Sequence, residues 1–335
     1  MKRRTRPRAL TALLALALAL ALCVCAGASA EKVSNVGFYF DTVVTLTLYD
    51  PEPGLMEELF AACDRYERLL SKTVEGSDVD RVNHAGGQPV KVDPETWEIL
   101  RRAGEISEAS GRAFSVTIAP VTALWDFTGD PPRKPTPEEI AEKLPLVDDS
   151  RLVLGEDGTV TLPEGMEIDL GGIAKGYIAD QVAALCEGRV TGAVLNFGGN
   201  VYCVGRKPDG SGFNVGIRDP QGSEFSTKAV VTVTDTSVVT SGIYERYFIR
   251  DGVWYHHILD PETGVSADSD LASATVVHPS SMTADAVATA CIVLGRDGAL
   301  ELLDRLGLDG MVITREGDIA WTEGFDTATQ FRLYP

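Results

Sequence analysis

Cationic side chains are scarce in this sequence for its length. Only 30 Lys and Arg stand against 49 Asp and Glu among 335 residues, which gives a formal net charge of −19. A surface this acidic repels the phosphate backbone of nucleic acids and argues against that class of partner. A polyphosphate ligand would therefore need local cations or a metal ion at its binding site.

Residues typical of metal and redox centres are also scarce. The six cysteines form no Cys-x-x-Cys pair, which argues against a metal or redox motif of that type. Cys203 and Cys291 lie in apolar segments and are interpreted as buried free thiols, while the sequence leaves disulfide pairing open. Because the chain has only four histidines, a histidine base must be one of them. They are His84, His256, His257 and His278.

The first thirty residues differ from the rest of the chain. A basic start, an Ala/Leu run and then Ala28-Ser29-Ala30 are typical of an export signal with a signal peptidase site. The apolar run is nearly long enough to span a bilayer, so retention as a membrane anchor is an alternative. Lipid attachment at Cys23 or Cys25 ranks second, because the residue before each is large. The pattern predicts an extracytoplasmic protein at the outer face of the cytoplasmic membrane.

After residue 30, short strand-like segments and a few helical patterns alternate irregularly. Residues 38–49 are rich in β-branched and aromatic side chains and predict one strand, whereas residues 71–87 predict a polar loop. Asp93-Pro94 is typical of a helix start, and Thr136 with Glu139 has the spacing of a capping box. Further short strands are predicted at 151–154, 160–162, 193–197, 201–204, 214–217 and 228–234. The mixture indicates an α+β fold with mixed or antiparallel sheets.

Residues 169–180, DLGGIAKGYIAD, predict a loop followed by a helix that begins near Ile173. Gly171 and Gly172 allow a sharp turn and a close approach to a ligand. The unpaired N–H groups of the helix start favour an anion there, and Lys175 adds a cation. An ordinary tight loop, with glycines for packing, is the alternative.

Asp285 and Thr289 are four residues apart and therefore share one face of a predicted helix that is otherwise apolar. If Thr283 caps this helix, Asp285 lies in the first turn and complements the helix dipole, which would explain the carboxylate structurally. Alternatively, a carboxylate and a hydroxyl on one buried face supply oxygen ligands of the kind that Mg²⁺ prefers.

His256 and His257 are adjacent in a segment that predicts a strand up to Leu259, followed by an Asp-Pro-x-x-Gly turn. The strand period of two directs the two imidazoles to opposite faces, so at most one of them faces a given cleft. A polar rim residue is the ordinary alternative for an isolated histidine at a strand end.

Four motifs together resemble the signatures of one family, the FAD:protein FMN transferases of the ApbE type. They occur in the family's order and, with weaker similarity at 110–114, 124–125 and 215–220, cover nearly the whole chain after residue 30. The motifs are DLGGIAKGY (169–177), NFGGN (196–200), HILDPETG (257–264) and TADAVATA (283–290).

This resemblance implies an exported, Mg²⁺-dependent domain at 31–335 that binds FAD in a cleft between two lobes. It would transfer the FMN half of FAD to a Thr or Ser hydroxyl of an exported or membrane redox protein and release AMP. By motif position, His257 is the catalytic histidine, and the carbonyl of Ala174 and the side chains of Asp285 and Thr289 hold the metal. Lys175 adds a cation for the phosphates. The positions that contact FAD in the family are Phe40, Thr73, Ala113, Phe114, Ser115, Gly171, Tyr177 and Leu259.

Two positions depart from the family pattern. Thr73 stands where many members have tyrosine, and Ser115 stands where many have aspartate. Both changes bear on flavin affinity and on the balance between transfer and hydrolysis. Two alternative functions follow: an FAD pyrophosphatase that gives FMN and AMP, and a non-enzymatic flavin-binding protein of the envelope.

Overall fold

The computed structural model of the protein describes residues 30–223 and 225–334. The strands are β1 (Lys32–Tyr39), β2 (Thr42–Tyr49), β3 (Val90–Lys91), β4 (Val153–Leu154), β5 (Thr159–Thr161), β6 (Gly192–Phe197), β7 (Asn200–Gly205), β8 (Phe213–Arg218), β9 (Thr227–Val233), β10 (Thr236–Gly242), β11 (Tyr247–Arg250), β12 (Val253–His256), β13 (Leu271–His278), β14 (Asp309–Thr314), β15 (Ile319–Trp321) and β16 (Arg332–Leu333). The helices are α1 (Leu55–Leu70), α2 (Asp78–Asn83), α3 (Pro94–Ala109), α4 (Ala119–Thr122), α5 (Pro137–Lys143), α6 (Ala174–Cys186), α7 (Ser281–Leu306) and α8 (Phe325–Thr329).

An antiparallel eight-stranded sheet with the order β1-β2-β6-β7-β10-β13-β14-β15 lies at the centre. Smaller antiparallel sheets have the orders β16-β9-β8, β3-β5-β4 and β11-β12. The predicted α+β fold with antiparallel sheets is confirmed, whereas the division into two lobes stays a prediction.

The central sheet has an apolar core on each face. Val239 of β10 packs into the core shared with helices α1, α3, α6 and α7, where Val287 is fully buried. Its neighbour Val238 packs into the opposite core with Val231 of β9 and Met311 of β14. Adjacent residues of one strand thus reach opposite cores, as the strand period of two requires. The layer of helices is the one that carries the candidate site.

The segment predicted as one strand at 38–49 is a hairpin, which corrects that prediction. Strands β1 and β2 pair with Tyr39 opposite Thr42, and Phe40 and Asp41 form the turn with φ of 54° and 56°. Left-handed backbone at two non-glycine residues costs free energy, and a hydrogen bond from Phe40 N to Glu67 Oε1 (2.9 Å) helps to stabilise the turn.

Two helix starts also differ from the sequence-based predictions. Within the predicted loop 71–87, Ser77 caps the short helix α2 by accepting a hydrogen bond from Asp80 N. Helix α7 is capped by Ser280 rather than Thr283, and the Ser280 hydroxyl accepts a bond from Thr283 N. Asp285 consequently lies beyond the first turn, so the dipole does not account for its carboxylate. The predicted capping box of Thr136 and Glu139 is confirmed.

Helices α6 and α7 cross in backbone contact at Gly176. A Cβ atom built on Gly176 would lie 2.3 Å from the carbonyl oxygen of Ser281 and 2.7 Å from Cα of Met282. Both neighbours are backbone atoms that cannot rotate away. Only glycine permits this crossing distance.

We expect Gly176→Ala to lower the free energy of unfolding by about 2–3 kcal/mol, because the added methyl group forces the two helices apart. Gly104→Ala is the matched control, since Gly104 also lies in a helix but its Cβ would meet nothing within 4 Å. That control should raise the free energy of unfolding by about 0.5–1 kcal/mol. Urea unfolding measures both, and equal effects would contradict the close contact.

Within residues 30–223 and 225–334, no helix combines the length and apolar character needed to cross a bilayer. The predicted export signal at 1–30 lies outside the described residues except for Ala30. All four cysteines of the described part are buried free thiols, as predicted for Cys203 and Cys291.

Candidate active site

A cavity of about 560 Å³ opens beside the crossing of α6 and α7. Its walls come from the β1–β2 turn, the segment after α1, the segment around α4, the glycine loop, the β6–β7 turn, the end of β10 with the residues after it, residues 257–261 and α7. Eight separate parts of the chain therefore converge on one space.

Every site residue predicted from the sequence lines this cavity, except Tyr177. Those brought together are Phe40, Thr73, Ala113, Phe114, Ser115, Gly171, Ala174, Lys175, His257, Leu259, Asp285 and Thr289. The predicted contact of Tyr177 with FAD stays a prediction. It is buried on the far side of α6, where its hydroxyl donates to Glu95 Oε1 (3.1 Å) and its ring meets the edge of the Tyr66 ring.

The glycine loop is held by Asp169. Its carboxylate accepts a hydrogen bond from Gly171 N (2.8 Å) and pairs with Lys72 Nζ (2.7 Å). A Cβ on Gly172 would lie 3.1 Å from the Phe114 ring and 3.7 Å from Thr289 Oγ1, so the loop packs closely against both. The backbone of the glycine loop therefore lies against Phe114 and Thr289 and forms part of the cavity wall.

Asp285 is a buried carboxylate that contacts one backbone N–H group and one ammonium group. It is 3% exposed, accepts one backbone bond from Gly176 N (3.0 Å), and lies 3.4 Å from Lys175 Nζ. The Thr289 hydroxyl, one helical turn further on, donates to the backbone carbonyl oxygen of Asp285 (3.1 Å). A carboxylate offers about four lone-pair positions, so Asp285 retains acceptor capacity toward the cavity. These oxygens suit a hard cation.

A reciprocal pair of carboxylates joins the two helices. Asp285 of α7 accepts from Gly176 N in the first turn of α6. Asp180 of α6 in turn accepts from Ser281 N (2.6 Å) and Met282 N (3.1 Å) at the start of α7. Burial raises the pKa of Asp180 to about 6. Each helix thus satisfies backbone donors of the other, which fixes Asp285 relative to the glycine loop.

The two adjacent histidines have different surroundings. His257 lines the cavity, half-buried, whereas His256 is fully buried outside it, with Nε2 3.2 Å from the carbonyl oxygen of Ala267. Strand β12 ends at His256, so the strand predicted to reach Leu259 is shorter than expected. Burial lowers the pKa of His257 to about 3, with a further contribution from the Arg246 guanidinium, and burial lowers the pKa of His256 to about 4. Both imidazoles are therefore neutral at pH 7.

Two cations at the cavity were missed in the sequence, because no motif contains them. Lys72 follows α1 and pairs with Asp169, and Arg246 lies just before β11. The Arg246 guanidinium donates to the carbonyl oxygen of Asp41 (2.8 Å), and its own carbonyl oxygen accepts from His257 N (3.1 Å). Arg246 therefore connects the β1–β2 turn to the candidate catalytic histidine.

Asp149, also missed, organises the loop at Ser115. Its carboxylate accepts bonds from the Ser115 hydroxyl (2.7 Å), the Thr117 hydroxyl (2.7 Å) and Thr117 N (3.0 Å). Where the family pattern has an aspartate at 115, this chain thus has a serine bound to a carboxylate from the 3₁₀ turn Asp149–Arg151. Spacing in the sequence gives no signal for such a contact between residues 34 positions apart.

The charged side chains of the cavity are predominantly acidic. Three cations, Lys72, Lys175 and Arg246, stand against five carboxylates: Asp41, Asp126, Asp169, Glu245 and Asp285. A diphosphate entering this space would meet net repulsion unless another cation accompanied it. The described residues hold no group of three or more His, Cys, Asp or Glu side chains that could bind a metal by themselves. A cation here would be held by few protein ligands and shared with the phosphates.

Comparison with known sequences gives one consistent family. A model of the ApbE family matches residues 40–312. The FAD:protein FMN transferase of Treponema pallidum (strain Nichols) is 36% identical over 309 residues, which cover 85% of this chain and 85% of that protein. The protein of the same name from Klebsiella pneumoniae (strain 342) is 35% identical over 281 residues, with 82% and 87% covered.

Solved structures agree with the sequence comparison. The crystal structure of the ApbE protein from Thermotoga maritima has a TM-score of 0.82 and 31% identity, covering 89% of this chain and 99% of that chain. The Pseudomonas stutzeri flavinyl transferase ApbE in its apo form has a TM-score of 0.79 and 29% identity, with 89% and 97% covered. All cavity-lining residues lie inside the region that matches the family.

Proposed function

This chain belongs to the ApbE family, and on that premise we propose that it transfers the FMN half of FAD to a Thr or Ser hydroxyl of another protein and releases AMP. The motif resemblance is confirmed by the family match. The observation that carries the proposal is the convergence of His257, the Asp285 and Thr289 oxygens and the glycine loop on one cavity.

The walls of the cavity suit the two halves of FAD. Phe40, Phe114, Trp125 and Phe127 offer apolar surface and stacking faces for aromatic rings. At the glycine loop, the positive end of the α6 dipole and the nearby cation Lys175 attract phosphate oxygens. The diphosphate would therefore lie at the helix start, with the rings against the aromatic wall.

Mg²⁺ fits the oxygens beside α7, and we assign it to the Asp285 carboxylate, the Thr289 hydroxyl and the Ala174 carbonyl. The fit rests on the buried, incompletely paired carboxylate and on an all-oxygen donor set. When bound, Mg²⁺ supplies charge neutralisation for the diphosphate, which an acidic cavity otherwise repels. Lys175, hydrogen-bonded to the Gly171 carbonyl oxygen (2.6 Å), is positioned to share that task.

His257 is the base that takes the proton of the acceptor hydroxyl. The hydroxyl oxygen forms a bond to the FMN phosphorus as the bond from that phosphorus to the bridging oxygen breaks, and AMP leaves with the bridging oxygen. Neutral imidazole has a free nitrogen for the proton, and the low pKa of His257 keeps it neutral before FAD binds.

The test supplies FAD, Mg²⁺ and envelope proteins of the native cell to the purified chain. Transfer is expected to release AMP and to leave FMN covalently attached to a Thr or Ser residue of an acceptor, as detected by mass spectrometry. AMP release without any covalent product would instead favour the pyrophosphatase. Tight FAD binding with no AMP release would favour the non-enzymatic flavin-binding protein.

The cellular location of the protein is predicted from residues 1–30. We expect the protein of the native cell outside the cytoplasmic membrane, either cut after Ala30 or retained by its amino-terminal segment. Cell fractionation with amino-terminal sequencing measures this. Full-length protein in the cytosol would contradict the prediction.

A further inference from the structure

Two hairpins flank the mouth of the cavity and touch each other there. The tip of the β1–β2 hairpin, Phe40–Asp41, lines the cavity, and so does Arg246 at the foot of the β11–β12 hairpin. The two are joined by the bond from Arg246 to the Asp41 carbonyl oxygen (2.8 Å). His257 follows directly after β12. Any protein whose hydroxyl reaches His257 must therefore pass these hairpins.

The outer face of the β1–β2 hairpin changes character along its length. Far from the cavity its cross-strand pair is polar, Ser34 with Thr47, joined by a 2.9 Å hydrogen bond. Next to the cavity the pair is Phe38 with Val43, which are 67% and 55% exposed, and Val36 beside them is 67% exposed. The apolar exposure is thus confined to the end of the hairpin at the cavity mouth.

The β11–β12 hairpin has an aromatic inner face and an exposed apolar outer face. Phe248 and Tyr255 on the inner face pack against Trp125 of the cavity wall. On the outer face, Ile249 is paired with Trp254, and the two are 65% and 43% exposed. An outer face that met only water would ordinarily carry polar side chains.

The charge of these hairpins also differs from the rest of the chain. Residues 32–49 and 246–256 contain three cations and two anions, with Glu31, Asp50 and Glu245 adjoining, whereas the whole chain has a net charge of −19. The two hairpins are therefore nearly neutral, whereas the cavity beside them is acidic. A nearly neutral surface gives no electrostatic preference for a strongly charged protein segment of either sign. A bilayer of anionic lipids would repel this acidic chain as a whole.

We infer that the outer faces of the two hairpins, Val36, Phe38, Val43, Ile249 and Trp254, form the docking surface for the acceptor protein. The inference rests on the proposed function. The segment of the acceptor protein that binds this surface has apolar residues on both sides of the acceptor hydroxyl. It contains no cluster of like charges. Exposed apolar area beside a site is typical of a protein interface.

The experiment compares three variants in which glutamine removes apolar area without adding an acceptor hydroxyl. Phe38→Gln/Val43→Gln and Ile249→Gln/Trp254→Gln alter one hairpin each. Phe225→Gln is the matched control, because Phe225 is 89% exposed and does not line the cavity. Each protein receives FAD, Mg²⁺ and detergent-dispersed envelope proteins, and covalent flavin is measured by in-gel fluorescence.

Both hairpin variants are expected to transfer FMN at least about tenfold more slowly than the control. The KM for FAD and the rate of AMP release by hydrolysis, measured without an acceptor, should stay within about twofold of the control. Mapped acceptor sites should have apolar neighbours within four residues of the hydroxyl. Rates equal to the control, or sites surrounded by clustered charges, would overturn the inference while leaving the proposed function intact.

Two further outcomes assign the surface to another occupant and also overturn the inference. One is intact transfer together with weakened binding to phosphatidylglycerol vesicles, which indicates a membrane surface. The other is intact transfer together with dissociation of a dimer in light scattering, which indicates a second copy. If the wild-type chain labels no protein at all, the proposed function fails and this inference fails with it.

Discussion

Asparagine in place of Asp285 is expected to lower Mg²⁺-dependent FMN transfer by about 10²–10⁴-fold at limiting Mg²⁺, which corresponds to several kcal/mol of lost charge stabilisation. The carboxamide keeps the volume of the buried side chain and an oxygen for the bond from Gly176 N. What it removes is the negative charge that holds a divalent cation. Single-turnover transfer over a Mg²⁺ titration is the measurement.

The control for this variant is Asp304→Asn, which removes an exposed carboxylate from the part of α7 that follows the break at Gly295. It should leave the Mg²⁺ titration unchanged. Urea unfolding of both variants shows whether α7 still docks on α6. Full activity of Asp285→Asn at limiting Mg²⁺ would exclude Asp285 as a ligand.

Alanine in place of His257 should lower the rate of FMN transfer by about 10²–10⁴-fold at saturating FAD and Mg²⁺, the range that a positioned general base contributes. A hydroxyl is a poor nucleophile until its proton is taken, and His257 is the histidine that lines the cavity. Binding of FAD, followed by quenching of flavin fluorescence, should persist because the aromatic wall and the glycine loop are unchanged.

His256→Gln is the matched control, since a glutamine amide can still donate to the Ala267 carbonyl oxygen that His256 faces. It should cost far less activity than His257→Ala. Equal and small losses in the two variants would mean that the metal and positioning suffice and that neither histidine acts as the base.

The sequence was most informative where neighbouring residues determine the structure. The cap of α3 by Asp93 and the capping box of α5 depend on side chains within three positions of the backbone groups they bind. Strand alternation likewise predicted that His256 and His257 point to opposite faces, so that at most one of them faces the cavity.

Long-range contacts account for what the sequence did not predict. The β1–β2 turn at Phe40–Asp41 contains no glycine that would have indicated it in the sequence. It is stabilised by hydrogen bonds from Phe40 to Glu67, 27 positions away, and from Arg246 to Asp41, 205 positions away. Asp149 reaches Ser115 in the same way. The Tyr177 hydroxyl likewise donates to Glu95, which is 82 positions away.

The reciprocal bonds between α6 and α7 also determine when the site can exist during folding. Gly176 and Asp285 are 109 positions apart, and strands β6 to β13 lie between them in the chain. A loop of that length closes slowly and at an entropic cost, which the intervening sheet offsets as it forms. A nascent chain that ends before α7 has the glycine loop but no carboxylate to place beside it. The Asp285 carboxylate and the glycine loop are therefore expected to come together late in folding, after the strands between them have paired.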